Sequence, residues 1–481
     1  MRRLVLVSSL LAALVLSVPA AGASAASAID EREARKALDV ALEAFRAPLA
    51  AGPAAGERDV TGLLRDLAIA LPALSGHDRA VARDLLARPT DKSDRNYFGK
   101  EAQDSPTCDA QFCVHWTDKR RNRPASSAFL DQVRVAVQRS YAVENGMLGW
   151  RRAKSDGRLG ARHGVGGQGQ VDVYVTDLGR NLYGFAAPDH DQRGHRRHAY
   201  LVLDNDYTGF PTPPVQSMRV TVAHEYNHIL QFGYDTFEDL WLFEDTATWA
   251  EEKVYPEIDD YLNYLPSMSA RPQAPMTGSS IKVYAEAVWN HWLSSRYGDG
   301  VVRRTWEVSP AERNFAVDAY GAALKDAGGL SFGRELGAFF AATAEWQGNP
   351  AFPDHAVYPR VARARLYGGV RRTTLDNTSY RLFNVKPGTV GESALLRVRA
   401  ERGTRTSISL VGRVGGGQGP TTVATTYLRK GGRGRVSLDD LATYSRVTAV
   451  VANVDGRSNR RDRRGRRVYR ADGSTYRIAL R

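Results

Sequence analysis

The chain has few cysteines, few lysines and almost no long apolar segment, and each shortage excludes a class of protein. Two cysteines in 481 residues cannot hold together a disulfide-stabilised mini-protein. Apolar residues make up 43% of the chain, which excludes disorder throughout, and the length suggests two or three domains with cores of their own. Beyond the N-terminus, no segment is apolar enough to span a membrane.

Lysine is scarce because only 10 of the 66 basic residues are Lys, and the arginines are unevenly placed. Residues 360–481 contain 27 Lys and Arg against 8 Asp and Glu, a net charge of +19. Since the whole chain carries +13, residues 1–359 carry −6. A basic region favours polyanions, so an acidic cell-surface polymer is a candidate partner of the C-terminal part. The Arg-rich run 457–470 contains one aromatic residue, Tyr469, which speaks against a dedicated nucleic-acid platform.

The N-terminus has the order of an export signal. Three residues, Met-Arg-Arg, precede an apolar run over 4–18, and Ala-x-Ala follows at 23–25 and 26–28. This order predicts a signal peptide over 1–28 and a secreted protein without a transmembrane anchor. Outside the cytoplasm, Cys108 and Cys113 are expected to form a disulfide, and a metal site built from both cysteines and His115 is the alternative.

The remaining chain divides into three regions by pattern. Apolar spacing predicts helices over 29–95, a segment that is either a structural brace or a candidate prosegment. Over 96–360, alternating segments at 171–178 and 199–206 predict strands with a His-rich loop between them, and most of 237–345 reads as helix. Over 361–481, short alternating strands separated by Gly-rich turns predict a β-sandwich-like domain. The fold class is therefore α+β.

A helix predicted over about 216–232 contains HEYNH (224–228), which is the pattern H-E-x-x-H. Histidines four residues apart lie one above the other, so the imidazoles of His224 and His228 can reach one metal ion. Glu225 points about 100° away, beside such an ion, where its carboxylate can accept a proton from water. Glu244 follows 16 residues after His228 and supplies a third ligand, which a catalytic zinc requires besides its open position.

Together, HEYNH and the segment FEDTATWAEE (243–252) resemble the zinc signature of gluzincin metallopeptidases, which include the thermolysin and aminopeptidase-N types. The second segment is similar to the aminopeptidase-N run N-E-G-F-A-x-[YW]-x-E, with Phe243 and Asp245 as departures. The amine-binding G-x-M-E-N segment is absent upstream, which favours an endopeptidase. More narrowly, the chain resembles secreted bacterial metallopeptidases that carry a C-V-H-Y/W segment, here CVHWT (113–117).

This resemblance implies a zincin-like core, a zinc cofactor and hydrolysis of peptide bonds in a peptide or protein substrate. The implied zinc ligands are His224, His228 and Glu244, and Glu225 is the implied general base. The segment 199–206 would be the edge strand that pairs with an extended peptide, and an internal strand is the alternative.

Supporting roles follow from the same resemblance. Glu251 is the candidate second-layer support of a ligand, whereas Asp245 is interpreted as an exposed helix charge. Tyr284 matches the tyrosine of a Y-x-K-G segment whose Lys and Gly are replaced here, and it is the candidate donor to the oxyanion. His291 is the alternative donor.

Three other features of the sequence have competing interpretations. The segment GLSFG (329–333) matches G-x-S-x-G, but a helix rather than a strand precedes it, so Ser331 is interpreted as a helix N-cap. The acidic stretches 189–191 and 204–206 lack the spacing of a calcium loop and are interpreted as solvated loop charge. The alternative function is a non-catalytic extracellular protein that holds polyanions or cell wall through its basic β domain.

Overall fold

Helices and strands are both abundant, and the C-terminal part is all β, which confirms the α+β class. No helix in the described part of the chain is long and apolar enough to cross a membrane. The expected signal peptide, 1–28, lies outside the described residues. The structure is a computed structural model that describes residues 29–46, 60–99, 106–161, 165–179, 182–210, 212–278, 280–310, 315–366, 370–385, 392–415, 421–461, 467–469 and 473–480.

The N-terminal segment is helical, as its apolar spacing predicts. Its apolar side chains, such as Leu64 and Leu67, share one hydrophobic core with Tyr174, Phe185 and Val202 of the central sheet. The segment therefore packs against one face of that sheet. Its helices are α1 (Glu31–Arg46), α2 (Thr61–Ala70) and α3 (Gly76–Leu85).

The central sheet has five strands in the order β1-β2-β3-β5-β4, of which β2, β3 and β5 are parallel and β4 is antiparallel. The expectation that 199–206 forms an edge strand is wrong, because β5 lies between β3 and β4. The prediction of a loop between the two strand segments is also wrong for its first residues. GFAAP forms the edge strand β4, whose uniform burial leaves no alternating pattern to read. The strands are β1 (Thr107–Cys108), β2 (Phe112–His115), β3 (Val171–Thr176), β4 (Gly184–Pro188) and β5 (Ala199–Asp204).

The predicted disulfide is present between Cys108 and Cys113. It joins the paired strands β1 and β2 directly opposite one another. Because both sulfurs are used in this bond, the alternative metal site with His115 is excluded.

Nine helices of the described chain build the other face and the adjoining helical layer. The longest of them begins with two prolines, Pro213 and Pro214, whose fixed φ suits the first turn. Every residue from Thr221 to Tyr234 is buried, so this helix has no solvent-facing side in that stretch. The helices are α4 (Ser127–Tyr141), α5 (Pro214–Tyr234), α6 (Leu240–Val254), α7 (Leu265–Ala270), α8 (Lys282–Ala285), α9 (Ala287–Tyr297), α10 (Gly300–Val308), α11 (Ala316–Asp326) and α12 (Phe332–Ala342).

The C-terminal strands form two sheets, β11-β10-β13-β8-β6 and β12-β9-β16-β7, around a shared apolar core. A separate hairpin pairs β14 with β15. The strands are β6 (Arg363–Arg365), β7 (Val370–Leu375), β8 (Ser379–Val385), β9 (Ala394–Ala400), β10 (Thr406–Val414), β11 (Thr421–Leu428), β12 (Gly432–Leu438), β13 (Tyr444–Asn453), β14 (Ser458–Arg461), β15 (Arg467–Tyr469) and β16 (Ser474–Leu480).

This sandwich is docked on the helical layer. Eight of the nine residues of β10 are buried, and a Cβ placed on Gly337 of α12 would lie 2.6 Å from Oγ of Ser407. A glycine at this position therefore allows the helix and strand to approach closely. At the same junction, Glu345 accepts from Arg413 at 2.8 Å and pairs with Arg446 at 3.1 Å.

Candidate metal centre

Helices α5 and α6 bring three potential metal ligands together, His224 and His228 from α5 and Glu244 from α6. The Nε2 atoms of the two histidines lie 3.0 Å apart. Oε2 of Glu244 lies 3.3 Å from Nε2 of His224 and 3.6 Å from Nε2 of His228. The three ligand atoms therefore converge on one point, as the sequence spacing predicts.

The other ring nitrogen of each histidine is held by an oxygen acceptor. Nδ1 of His224 lies 2.6 Å from Oε1 of Glu251, and Nδ1 of His228 lies 2.7 Å from Oε1 of Gln231. Carboxylate and amide oxygens accept, so each Nδ1 donates. Both Nε2 atoms therefore face the centre, and the tautomer with the proton on Nδ1 is the one that can bind a metal through Nε2.

The side chain of Gln231 is held in place by the hydrogen bonds that its amide nitrogen donates. Its Nε2 donates to Oδ1 of Asn227 at 2.6 Å and to Oγ1 of Thr246 at 2.8 Å. Sequence reasoning missed this residue, although a Gln three residues after His228 on the same helix is a readable signal. Glu251, by contrast, stands where the resemblance places it.

The centre is deeply buried, and its charges depend on one another. His224 is 0% exposed and Glu244 is 3% exposed. Burial alone would lower the pKa of His228, but the Glu244 carboxylate raises it overall. Burial would likewise raise the pKa of Glu244, but the two imidazoles lower it. A buried carboxylate kept ionised beside two imidazoles is suited to hold a cation.

Glu225 is reached by a residue that lies far away in the sequence. Oγ1 of Thr61, at the start of α2, donates to Oε2 of Glu225 at 2.9 Å. The same hydroxyl accepts from the backbone N–H of Ala186 on the edge strand β4, also at 2.9 Å. No sequence signal relates Thr61 to Glu225, because only the packing of α2 on the sheet brings them together.

The two candidate oxyanion donors occupy different surroundings. The ring of Tyr284 lies 6.0 Å from that of His224, beside the centre. The ring of His291 packs 5.4 Å from that of Tyr261, and burial lowers its pKa to about 3, so this imidazole is neutral. Between the two residues, the contact with His224 favours Tyr284.

Asp245 is not an exposed helix charge, and that interpretation is wrong. Its side chain is 0% exposed, and its Oδ2 lies 3.1 Å from the hydroxyl of Tyr320. Burial and the nearby carboxylate of Glu286 raise its pKa. The error has a simple cause, because every residue of α6 from Trp241 to Glu252 is buried, so this stretch has no solvent-facing side.

A second charged network, which sequence reasoning missed, joins the N-terminal segment to the sheet. The guanidinium of Arg88, 4% exposed, donates to Asp189 at 2.6 Å and to Asp156 at 2.8 Å, and it also contacts Asp172. His115 of the CVHWT segment contacts Asp172 at 2.7 Å. The carboxylates 189–191 were interpreted as solvated, but Asp189 is buried and paired.

Comparisons with known proteins assign nothing further to this geometry. A scan against protein-family models returns no match, and neither does a search of curated proteins. The functional conclusion therefore depends on the residues and distances described above.

Proposed function

We propose that this protein is a zinc-dependent peptidase whose metal ligands are His224, His228 and Glu244. One observation carries the proposal, namely the three mutual distances of 3.0, 3.3 and 3.6 Å between the ligand atoms. Ligands that hold zinc tetrahedrally at 2.0–2.2 Å lie about 3.3–3.6 Å from each other. The two distances to Glu244 have this length, and the distance between the imidazole nitrogens is slightly shorter, so a small outward movement of the two rings would fit the triangle to such a centre.

The chemical types of the three donor atoms and their buried surroundings also fit zinc. Two imidazoles and one carboxylate, with a fourth position open, form a ligand set used by zinc hydrolases. Oε2 of Glu244 is buried, and its charged or polar neighbours are the two imidazole nitrogens at 3.3 and 3.6 Å. A cation between the three atoms would compensate the buried carboxylate charge.

The residues around the centre would share the work of hydrolysis. Zinc supplies Lewis acidity, which polarises a carbonyl and lets water ionise near neutral pH. Glu225 accepts the proton of the attacking water and delivers it to the leaving amine. Tyr284 is the candidate donor to the oxyanion of the scissile carbonyl. Glu251 and Gln231 keep the imidazoles oriented throughout.

The test is metal content combined with cleavage of a peptide library by the purified full chain. We expect one zinc per chain by mass spectrometry, loss of cleavage with 1,10-phenanthroline and recovery with added zinc. His228→Ala should lose the zinc, whereas His190→Ala, at an exposed histidine, should keep it. Absence of zinc from the purified protein contradicts the metal assignment, and stoichiometric zinc without any cleavage contradicts the reaction class.

We also propose that the C-terminal domain holds an acidic polymer, because one specific feature favours it. Four arginines lie directly opposite one another across the four strands of one sheet, in the order Arg372, Arg477, Arg399 and Arg433. All four are exposed, and the described chain provides no ion pair to any of them. Strands about 4.8 Å apart place this row over roughly 14 Å.

A second row adjoins the first, since Arg435 pairs opposite Arg397 on the same two strands. Like charges directly opposite one another destabilise a sheet unless something compensates them. We call the six side chains the arginine face: Arg372, Arg397, Arg399, Arg433, Arg435 and Arg477. A polymer with closely repeated phosphate, sulfate or carboxylate groups would supply the compensating charge.

Salt-dependent retention on immobilised heparin tests the arginine face. Replacing Arg397, Arg399 and Arg477 by Gln should lower the salt concentration needed for elution. The matched control removes three exposed arginines of the main body, Arg32, Arg158 and Arg193, and should elute close to wild type. Equal shifts for both triple variants would mean that only the overall charge matters, which contradicts a dedicated face.

A further inference from the structure

We infer that the protein has a second cation site, distinct from the histidine centre, formed by Glu252, Asp259 and Asp354. One oxygen of each carboxylate lies within 4.8 Å of the others. Glu252 belongs to α6, Asp259 follows that helix, and Asp354 comes from the segment after α12. The site would therefore link α6 to a part of the chain about 100 residues away.

Glu252 is the observation that points to a ligand. Glu252 is only 6% exposed, and the part of the chain that the structure describes provides no hydrogen bond or ion pair to its carboxylate. The neighbouring Lys253 points elsewhere, because its Nζ pairs with Asp299 at 2.7 Å. A buried carboxylate that faces two other carboxylates and has no cationic side chain paired with it is strongly unfavourable unless a cation or a proton joins it.

The other two members are poorly compensated as well. Oδ1 of Asp259 is buried and has no hydrogen-bond partner among the described residues. Asp354 receives one neutral hydrogen bond, from the hydroxyl of Tyr261 at 3.0 Å. In the absence of a cation, burial and the two aspartates raise the pKa of Glu252 to about 9. The cluster therefore lacks a compensating positive charge.

The donor chemistry selects a hard divalent cation, and we assign Ca²⁺. All three side-chain donors are oxygens, which calcium binds at 2.3–2.6 Å, so ligands on opposite sides of the ion lie about 4.6–5.2 Å apart. Zinc prefers nitrogen and sulfur donors, which this cluster does not offer. Calcium also accepts the irregular geometry that one helix and two loops provide, with water completing its shell.

The place of the site in α6 gives it a structural consequence. Glu252 follows Glu251, which holds His224, and both lie in the same helix as Glu244. A cation at Glu252 would thus fix the end of α6 nearest to that contact. The inference does not depend on peptidase activity, because it concerns binding and stability alone.

The experiment is terbium luminescence on the full chain, excited through tyrosine, with calcium as competitor. Tyr261 lies in contact with Asp354 and is placed to sensitise a bound lanthanide. We expect one calcium-competed terbium per chain, and a rise in melting temperature of several degrees when calcium is present at about 100 times its Kd. Glu252→Gln should weaken terbium binding at least tenfold and abolish the calcium-dependent rise.

Two controls keep the result interpretable. Glu257→Gln alters an exposed carboxylate, paired with Arg139, and should bind terbium as wild type does. Because Glu252→Gln removes a buried acidic group but keeps its volume, its calcium-free melting temperature should be at least that of wild type. Unchanged terbium binding in Glu252→Gln, or a wild type indifferent to calcium, overturns the assignment.

A second observation carries an independent inference, which rests on the proposed peptidase function. We propose that α2 is a cover over the centre and must move before a substrate can bind. The hydroxyl of Thr61 donates a hydrogen bond to Glu225 and at the same time accepts one from the backbone N–H of Ala186. That N–H belongs to the edge strand β4, where an extended peptide would add by main-chain hydrogen bonds.

Other residues of α2 pack closely against α6 and the residues just before it. Arg65 donates to the carbonyl of Glu238 at 3.0 Å, and its guanidinium stacks over the ring of Phe243 at 4.8 Å. A Cβ on Gly62 would lie 2.6 Å from Cδ1 of Leu240, so the helix backbone sits directly against α6. Glu225, the proposed general base, is only 1% exposed. The described conformation therefore leaves no room for a peptide beside its carboxylate.

The test compares Thr61→Val with Thr61→Ser in peptide cleavage, with zinc content and melting temperature measured alongside. Val removes both hydrogen bonds at nearly constant volume, whereas Ser keeps the hydroxyl. If α2 is a cover, kcat/KM should rise about tenfold in Thr61→Val, and Thr61→Ser should resemble wild type. A fall in Thr61→Val with zinc retained would instead make Thr61 a positioning residue for Glu225, which overturns the cover. Absence of cleavage in all three proteins, with zinc bound, contradicts the proposed function instead.

Discussion

The histidine centre and the arginine face both bring several ionisable side chains together, but the charges are compensated in different ways. In the centre, His224, His228 and Glu244 are buried, and Glu251 and Gln231 fix the two imidazoles. On the arginine face, six side chains of one sign stand in register and exposed, and the described chain pairs none of them with a carboxylate.

The difference follows from solvent access. Inside the protein, an uncompensated charge or polar group costs several kcal/mol, so each member of a buried set must be matched by a neighbour. On the surface, water and salt screen the same charges to small energies. A buried group of polar side chains is therefore evidence of a specific local arrangement. An exposed group of like charges instead indicates which ligands the surface can attract. Four substitutions test this contrast, from the largest expected effect to the smallest.

The largest effect should come from Glu225→Gln, which keeps the shape of the side chain but cannot accept a proton. Under the proposed function, we expect kcat to fall by 10²–10⁴-fold with zinc content unchanged. Peptide cleavage and metal analysis of the same sample measure this. Glu257→Gln is the exposed control and should retain the wild-type kcat. A loss of zinc in Glu225→Gln would contradict the proposal that Glu225 is the base and not a metal ligand.

A large loss of stability should follow Arg88→Met. This change leaves Asp156, Asp172 and Asp189 without their shared buried cation, which should cost about 3–5 kcal/mol in the free energy of unfolding. Urea denaturation followed by tryptophan fluorescence measures it. Arg83→Met, which removes an exposed pair with Asp191, should cost less than about 1 kcal/mol. Equal losses in the two variants would remove the contrast between buried and exposed charge.

A smaller effect is expected for Glu251→Gln, which weakens the acceptor behind His224. If the centre binds zinc as proposed, loss of this outer contact should lower the zinc affinity about 10–100-fold, because the imidazole is held less firmly in its binding tautomer. Competition with a zinc chelator measures the affinity. An affinity equal to that of wild type would show that Glu251 is only a packed polar residue.

The smallest effect should come from Arg399→Gln in the middle of the arginine face. Because the side chain is exposed and faces Arg477 and Arg433, its removal should change the free energy of unfolding by about 0.5 kcal/mol or less, and in the stabilising direction at low salt. Arg413→Gln, in the buried pair with Glu345, is the contrasting variant and should be clearly destabilising. Denaturation at two salt concentrations separates these outcomes.

Much of the architecture was open to prediction because its signals are local. The 3.6-residue spacing predicted the helices of the N-terminal segment, and alternation predicted β3, β5 and the C-terminal strands. The close spacing of Cys108 and Cys113 predicted their bond. Strand β4 was missed because burial on both faces erases the alternation on which such predictions depend.

Within the site, the sequence by itself determined which candidate ligands stand together. Residues four apart on a helix must share a face, so His224 and His228 meet whatever surrounds them, and the motif pair singles out Glu244 and Glu251. Only the tertiary structure decided what covers Glu225, which carboxylates enclose Arg88, and that Glu252, Asp259 and Asp354 converge. Apart from Glu252 and Asp259, which lie close in the chain, these contacts join residues about 70 to 160 positions apart, and no local periodicity encodes the packing of one element against another. The row of arginines has the same origin, because strand register across a sheet is set by the folded core and not by any one strand.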